Sequence, residues 1–267
     1  MTARDHNGGG NERTDVSHAA GIVRDDPLRA PAWPATIVAT LIIVAGCAPA
    51  SLLDRAIRAR GGPLTAVMLR AEANVHVGFP GRWQYTRAFL LPNRYAWSIE
   101  TATEPQVHLF DGTTVRSFIG AAEVAEDANP GAPLRSHARW TAVVNLDALH
   151  APGIQLTPLP ATALPAGVSE GLSARFPDGQ TYRLGFDERT LLVWTEGPLD
   201  LWPVAKGIAT VRYSDHRATA SRLLPFAAAY AIGGRRVAEE RVLAACVDPP
   251  GLTPASFTDP AHLPDCR

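Results

Sequence analysis

From Val67 to Phe79 apolar and polar positions alternate without a break. Val67, Leu69, Ala71, Ala73, Val75, Val77 and Phe79 share one parity, and Met68, Arg70, Glu72, Asn74, His76 and Gly78 share the other. A period of two over this length fits a half-buried antiparallel strand and excludes a helix, whose side chains return to a face only every roughly 3.6 residues. One long strand of this kind commits its chain to a sheet, because an unpaired strand leaves its backbone donors and acceptors unsatisfied.

The chain supplies the partners in sequence. Pro80-Gly81 turns into a strand carrying Trp83, Tyr85, Phe89 and Leu91 on one face, with Arg87 interrupting it. After Pro92-Asn93, Tyr95, Trp97 and Ile99 alternate with Arg94, Ala96, Ser98 and Glu100. The segments 106–110 and 113–119 then flank Asp111-Gly112, the strongest short-range hairpin signal here. In the second half Val168 to Phe176, Tyr182 to Phe186, Leu191 to Thr195 and Ile208 to Tyr213 repeat this logic. Two final strands, about 223–232 and 235–247, flank Gly233-Gly234. Spread along the chain, the 23 prolines and 22 glycines suit short strands joined by turns. The expected fold class is mainly β with some α: a large antiparallel sheet of about ten strands with two or three short helices.

Two helices are expected. Leu52 to Arg60 follows Ser51, a capping residue with Asp54 three positions on, places Leu52, Leu53, Ala56 and Ile57 on one face, and stops at Gly61-Gly62. His137 to His150, capped by Ser136, carries Trp140, Val143, Val144, Ala148 and Leu149. Segment 123–133 reads as a loop, and 156–167, with Pro158, Pro160 and Pro165, as a linker or flap. Pro198 to Pro203 reads as a break between strands. A twisted sheet with one apolar face must bury that face, and two short helices cover only part of it. The remainder is an aromatic-lined concavity or a solid core. Trp83, Tyr85, Phe89, Trp97, Trp140, Phe226 and Tyr230 are its candidate lining, and Trp194 and Trp202 are further aromatics available to it.

Ahead of this domain lies an apolar run, 35–47, ending in Val44-Ala45-Gly46-Cys47. Its apolar stretch of roughly ten residues is the length of a signal-peptide core and is short of the roughly 20 a spanning helix needs. Small residues before Cys47 resemble the lipobox of bacterial lipoproteins, in which the cysteine becomes a lipidated N-terminus. The alternative is an uncleaved signal anchor. Both place the remainder of the chain outside the cytoplasm. Residues 1–34 read as a disordered extension and n-region, 48–257 as one β domain and 258–267 as a C-terminal tail. With Cys47 taken by lipid, Cys246 and Cys266 remain as an even pair bound for an oxidising compartment, and a disulfide between them is expected. The formal net charge of −1 argues against a nucleic-acid partner.

Few residues suggest chemistry. Gly167-Val168-Ser169-Glu170-Gly171 matches the nucleophile elbow of serine hydrolases, with His216 or His262 and Asp187 or Asp215 as conceivable partners. The elbow requires a buried parallel strand before the serine and a helix after it, whereas this copy follows a proline-rich loop and enters an alternating strand. No cofactor or metal is expected: the eight histidines show no metal spacing, and His76 and His108, which could meet across strands, sit in no cluster with cysteine or carboxylate. Glu239, Glu240 and Arg241 beside Arg235 and Arg236 read as a solvated charged hairpin, and Asp215-His216-Arg217 as a solvated turn.

An N-terminal helix ending in Gly-Gly, a long first strand, Arg94-Tyr95-Ala96-Trp97, Phe110-Asp111-Gly112 before a strand, and Leu223-Leu224-Pro225-Phe226 before a terminal hairpin together resemble the lipoprotein-localisation-factor (LolA/LolB-like) superfamily. The resemblance covers about 50–257. It implies a half-barrel sheet closed by helices around a hydrophobic cavity. With the lipobox-like segment and no catalytic constellation, the expectation is a non-enzymatic envelope lipoprotein anchored on the outer face of the cytoplasmic membrane or on the outer membrane. The implied ligand is a lipid, acyl chain or lipoprotein segment, held as by a carrier, acceptor or sensor. A membrane-anchored interaction protein with a packed core, binding another envelope protein, is the alternative reading. An esterase using Ser169 is a distant third.

Overall fold

The computed structural model describes residues 51–101, 103–125, 131–201 and 203–266. The expectations for 1–34, for the run 35–47 with Cys47, and for Trp202 lie outside the described residues.

Helix α1 (Leu52–Ala59) leads into β1 (Ala66–Val75), β2 (Gly81–Leu90), β3 (Arg94–Ile99), β4 (Gln106–Phe110), β5 (Val115–Ile119) and the short β6 (Ala122–Glu123). Helix α2 (Gly131–Val144) and a 3-10 turn (Asp147–His150) carry the chain across to the second run. That run comprises β7 (Gln155–Pro158), β8 (Glu170–Arg175), β9 (Thr181–Phe186), β10 (Leu192–Leu201), β11 (Ala205–Thr219), β12 (Arg222–Ile232) and β13 (Arg235–Val247). All thirteen strands join one sheet, ordered β6-β5-β4-β3-β2-β1-β13-β12-β11-β10-β9-β8-β7, and every pairing is antiparallel. Within each run consecutive strands are neighbours, β6 and β7 lie at opposite edges, and β1 pairs with β13 at the centre of the ladder.

The sheet is curved and unclosed, with thirteen strands among the described residues where about ten were expected. The additions are its two edges. A two-residue strand such as β6 has no period to read, and β7 was hidden by Pro158 at its end and the prolines that follow, which an edge strand tolerates because one side of it needs no donors. The first strand also stops at Val75: a turn from His76 to Pro80 then feeds β2, with Val75 opposite Gly81. Curvature brings that turn against the one between β10 and β11. A Cβ placed on Gly78 would lie 2.7 Å from the Val204 carbonyl oxygen.

Pro198 lies inside β10, opposite Ile208, where a break was expected. The reason is local. Pairing of β10 with β9 ends at Glu196–Arg183, so beyond it β10 has a free edge on which a missing N–H costs nothing. Helix α2 uses the same edge: the Asp200 N–H donates to Ser136 Oγ at 3.0 Å. Ser136 was expected to cap that helix, which instead begins five residues earlier at Gly131 and ends at Val144. In α1 the expected cap is present, with the Asp54 N–H donating to Ser51 Oγ at 3.1 Å.

Two apolar layers result. The larger lies between one face of the sheet and the helices, and joins Leu53, Ala56 and Ile57 of α1 to Leu134, Trp140 and Val143 of α2. The smaller lies on the other face, where Met68, Ala88, Ala96 and Leu109 are covered by Leu252 and Phe257 of the C-terminal segment. A disulfide between Cys246 on β13 and Cys266 fastens this segment.

Candidate functional site: a divided cavity under the second helix

The larger apolar layer is incompletely filled. A cavity of about 110 Å³ lies between α1, the end of α2 and the sheet, walled by Val67, Leu69, Phe89, Leu192, Leu223 and Leu224 among others. A second, of about 70 Å³, lies towards the other end of α2 and is walled by Trp83, Tyr85, Trp97, Leu199, Leu201 and Val204 among others. Arg87, Trp140, Thr141, Tyr230 and Glu240 border both chambers, so the boundary between them is polar although the walls are not.

Strand geometry places that boundary. β2 and β13 flank β1, and Arg87 and Glu240 reach over β1 from its two sides. Val67 and Leu69 face one chamber and Ala73 and Val75 the other, while Ala71, between them, is fully buried and too short to obstruct the pair. Arg87 Nη2 donates to Glu240 Oε1 at 2.6 Å. The other carboxylate oxygen accepts from the Tyr85 hydroxyl and, at 3.3 Å, from the Tyr230 hydroxyl. Burial works most strongly against the Arg87 charge, but Glu240 and the Tyr85, Tyr230 and Tyr95 phenols together more than offset it, and its pKa is raised well above the ordinary value. Burial, then Glu240, push the Tyr85 and Tyr230 phenols up, so both remain neutral donors. His137, stacked on Trp97 with ring centroids 5.5 Å apart, is pulled down to about 4 by burial and then by Arg87, and is neutral at pH 7.

The remaining polar groups differ in how well they are satisfied. Trp140 Nε1 donates to the Tyr213 hydroxyl, which also meets Thr195 Oγ1, both at 3.0 Å. By contrast the Tyr95 O–H and Asn145 Nδ2, which line the first chamber, find no acceptor in the protein, although the Tyr95 oxygen itself meets the Arg87 guanidinium, and His137 Nε2, which lines the second, has no hydrogen-bond partner. Unpaired buried groups of this kind are rare in folded domains and call for a physical explanation.

Two solved structures share this architecture. A LolA superfamily protein from Nitrosomonas europaea superposes with a TM-score of 0.52 at 13% identity, covering 79% of this chain and 97% of its own. The fold is LolA-like. A DUF1329 family protein from Desulfovibrio piger gives a TM-score of 0.50 at 7% identity, over 79% of this chain and 98% of its own. No family model and no curated protein matches the sequence.

Within the LolA-like frame, Trp83, Tyr85 and Trp97 line the second chamber, Phe89 the first, and Trp140 and Tyr230 both. Phe226 is buried in the same core, but its ring lies under the Arg217 guanidinium, 4.9 Å from centroid to Cζ, apart from the lining side chains. Trp194 is likewise buried away from them. Ser169 sits in a shallow depression with Asp187, Glu188 and Arg189; His216 borders the first chamber, its Nε2 3.0 Å from the Leu192 carbonyl oxygen. His76 and His108 do not meet: His76 faces Glu239 at 3.8 Å, and His108 is buried beside Ser117 at 2.9 Å. Among the described residues no cluster of His, Cys, Asp or Glu is arranged to hold a metal ion, and no helix is long and apolar enough to cross a membrane.

The sequence reading missed Glu240, expected on a solvated hairpin and in fact buried. A register shift between Tyr230 and Ala231 in the β12–β13 ladder changes which residues of the hairpin face inward, and no local pattern announces it. Asp215-His216-Arg217 lies within β11 instead of in a turn, and Asp215 takes a φ of +56° where its pair with Phe226 drops out of the ladder without a change of register. Arg87 was visible, as the one charge on the apolar face of its strand.

Proposed function

We propose that the protein binds an acyl chain or other lipid moiety in the divided cavity, without covalent change, as a carrier, acceptor or sensor in the bacterial envelope. The observation that carries this reading is the apolar space left between the sheet and α2 in a LolA-like fold. Burial of chain methylenes there is favourable at about 0.8 kcal/mol each. The two chambers are smaller than the roughly 300 Å³ at which small-molecule pockets commonly begin, and comparable to engineered cavities of about 150 Å³ that hold a benzene ring. A full lipid chain therefore requires α2 to move away from β10 and the sheet. In the same reading Cys47 carries the lipid anchor and the domain stands on the outer face of the cytoplasmic membrane or on the outer membrane.

Mass spectrometry of the full-length protein under native and denaturing conditions tests this. A native-only adduct in the mass range of a fatty acid or phospholipid is the expected result, with Cys47→Ser abolishing incorporation of labelled acyl groups in the producing cells. The small volume of the chambers favours a second reading, an anchored interaction protein with a packed interior. A bare native mass together with no uptake of an apolar fluorescent dye would establish that reading in place of the first.

A further inference from the structure

We propose that the head of the bound lipid is a single acidic group, a carboxylate or phosphate, buried against Arg87 at the boundary between the chambers in exchange for Glu240. This deepens the reading above and rests on it. Among the described residues Arg87 is the only guanidinium bordering both chambers, and its one bond to a charged acceptor goes to Glu240, beside contacts with the Tyr95 and Tyr230 phenol oxygens, although the group carries five donors. Its side chain retains 20% of its accessible surface against 5% for Glu240, so the carboxylate lies beneath and the guanidinium faces the open space. Around the first chamber the unpaired groups point the same way. Tyr95, with no exposed surface, offers an O–H, and Asn145, 5% exposed, offers an N–H. Two donors without acceptors, beside a guanidinium with donors to spare, match a ligand that brings acceptors and no donors of its own, as an acid anion does.

Charge balance specifies the exchange. The Arg87–Glu240 pair is neutral, and adding an anion to it would leave one uncompensated charge in a low-dielectric site. The acid R–COOH therefore passes its proton to Glu240: its carboxylate takes Glu240's place on Arg87, and the protonated Glu240 stays hydrogen-bonded with the Tyr85 and Tyr230 hydroxyls. No net charge enters. The other ionisable groups facing the pair are Tyr85 on β2, Tyr95 on β3, Tyr213 on β11, Tyr230 on β12 and His137 on α2, all neutral between pH 6 and 8. Because a free acid is ionised in that range, binding takes up about one proton, and affinity falls up to about tenfold for each unit of rising pH.

The test is displacement of an apolar fluorescent dye from the full-length protein by dodecanoic acid, dodecyl phosphate, 1-dodecanol and methyl dodecanoate. The expected result is that one or both acids compete at least about tenfold better than the alcohol and the ester at pH 7, with the advantage shrinking towards pH 8. In Arg87→Met/Glu240→Gln, which removes both charges together, the ratio falls to about one. Should that variant not fold, the wild-type ratio and its pH slope decide by themselves. Equal competition by acids and neutral analogues overturns the acidic-head assignment and leaves lipid binding standing. Failure of every compound, and of the dye, overturns both.

Discussion

Arg60 and Asp147 form a buried ion pair that ties the end of α1 to the turn following α2. The guanidinium bonds the Asp147 carboxylate, the Asn145 carbonyl at 2.7 Å and the Gly62 carbonyl at 3.1 Å, and the same carboxylate accepts the Leu64 N–H at 2.9 Å. Side-chain exposures of 8% and 12% leave little solvent to compensate either charge. The ends of the two helices that border the first chamber are therefore tied to each other there.

Asp147→Ala is expected to cost about 3–5 kcal/mol in urea unfolding, because it strands a buried guanidinium. Arg60→Met/Asp147→Leu, which removes both charges, should lose clearly less. For contrast, Glu239→Ala removes an exposed partner of Arg236 and should cost no more than about 1 kcal/mol. Equal losses for the single and double joint variants would show that the pair is not what holds the helix ends.

Stability should fall between pH 6.5 and pH 4. Burial depresses both His108 and His137 from 6.5 to about 4, so across that interval the unfolded chain binds protons that the folded protein does not. The contribution is complete above the unfolded value and is lost as pH drops, by at most about 1.4 kcal/mol per pH unit for each histidine. Chemical denaturation at several pH values should show the slope, and His108→Phe/His137→Phe should flatten it. An unchanged slope in the double variant would assign the acid sensitivity to carboxylates.

Gly197 makes room for an aromatic ring. A Cβ at this position on β10 would lie 2.4 Å from the Tyr182 ring, which is itself fully buried on β9. Gly197→Ala is therefore expected to destabilise by about 1–3 kcal/mol through overpacking. Gly179→Ala provides a control: it sits in open space at a φ of +86°, so its cost is backbone strain alone. A Gly197→Ala melting temperature equal to wild type would mean that the ring has another place to go.

Reducing the Cys246–Cys266 bond should cost about 3 kcal/mol in the chain-entropy model, since it frees a segment spanning 20 residues. The segment covers the face of the sheet away from the cavity, so dye uptake measured well below the melting temperature should not change on reduction. A parallel loss of dye uptake would show that the two apolar layers are coupled through β1.

Most of the sheet could be read from the chain because its strands alternate cleanly, and the terminal hairpin around Gly233-Gly234 falls where the pattern puts it. What escaped depends on partners distant in sequence. Pro198 signals a break unless one knows that pairing of β10 with β9 has already ended before it. Ser136 looks like a helix cap until Asp200 is seen to claim its hydroxyl. Glu240 reads as surface because the bulge that turns it inward is a property of two strands together. The aromatic lining was legible as a parity of side chains on β2 and β3, whereas the polar boundary required knowing that β1 carries small residues where Arg87 and Glu240 cross it.

The central ladder has a kinetic consequence. Every other strand pairing joins neighbours in the chain, and only β1 with β13, Val67 beside Val247, joins its two ends. Contacts of such high sequence separation carry the largest loop-closure entropy and slow folding accordingly. Two locally folding meanders must meet along this seam, and Arg87 arrives with one while Glu240 arrives with the other. A chain halted in synthesis before Arg235 would hold all its aromatic lining yet lack the strand that unites it, so competence to bind appears in one step, at the end.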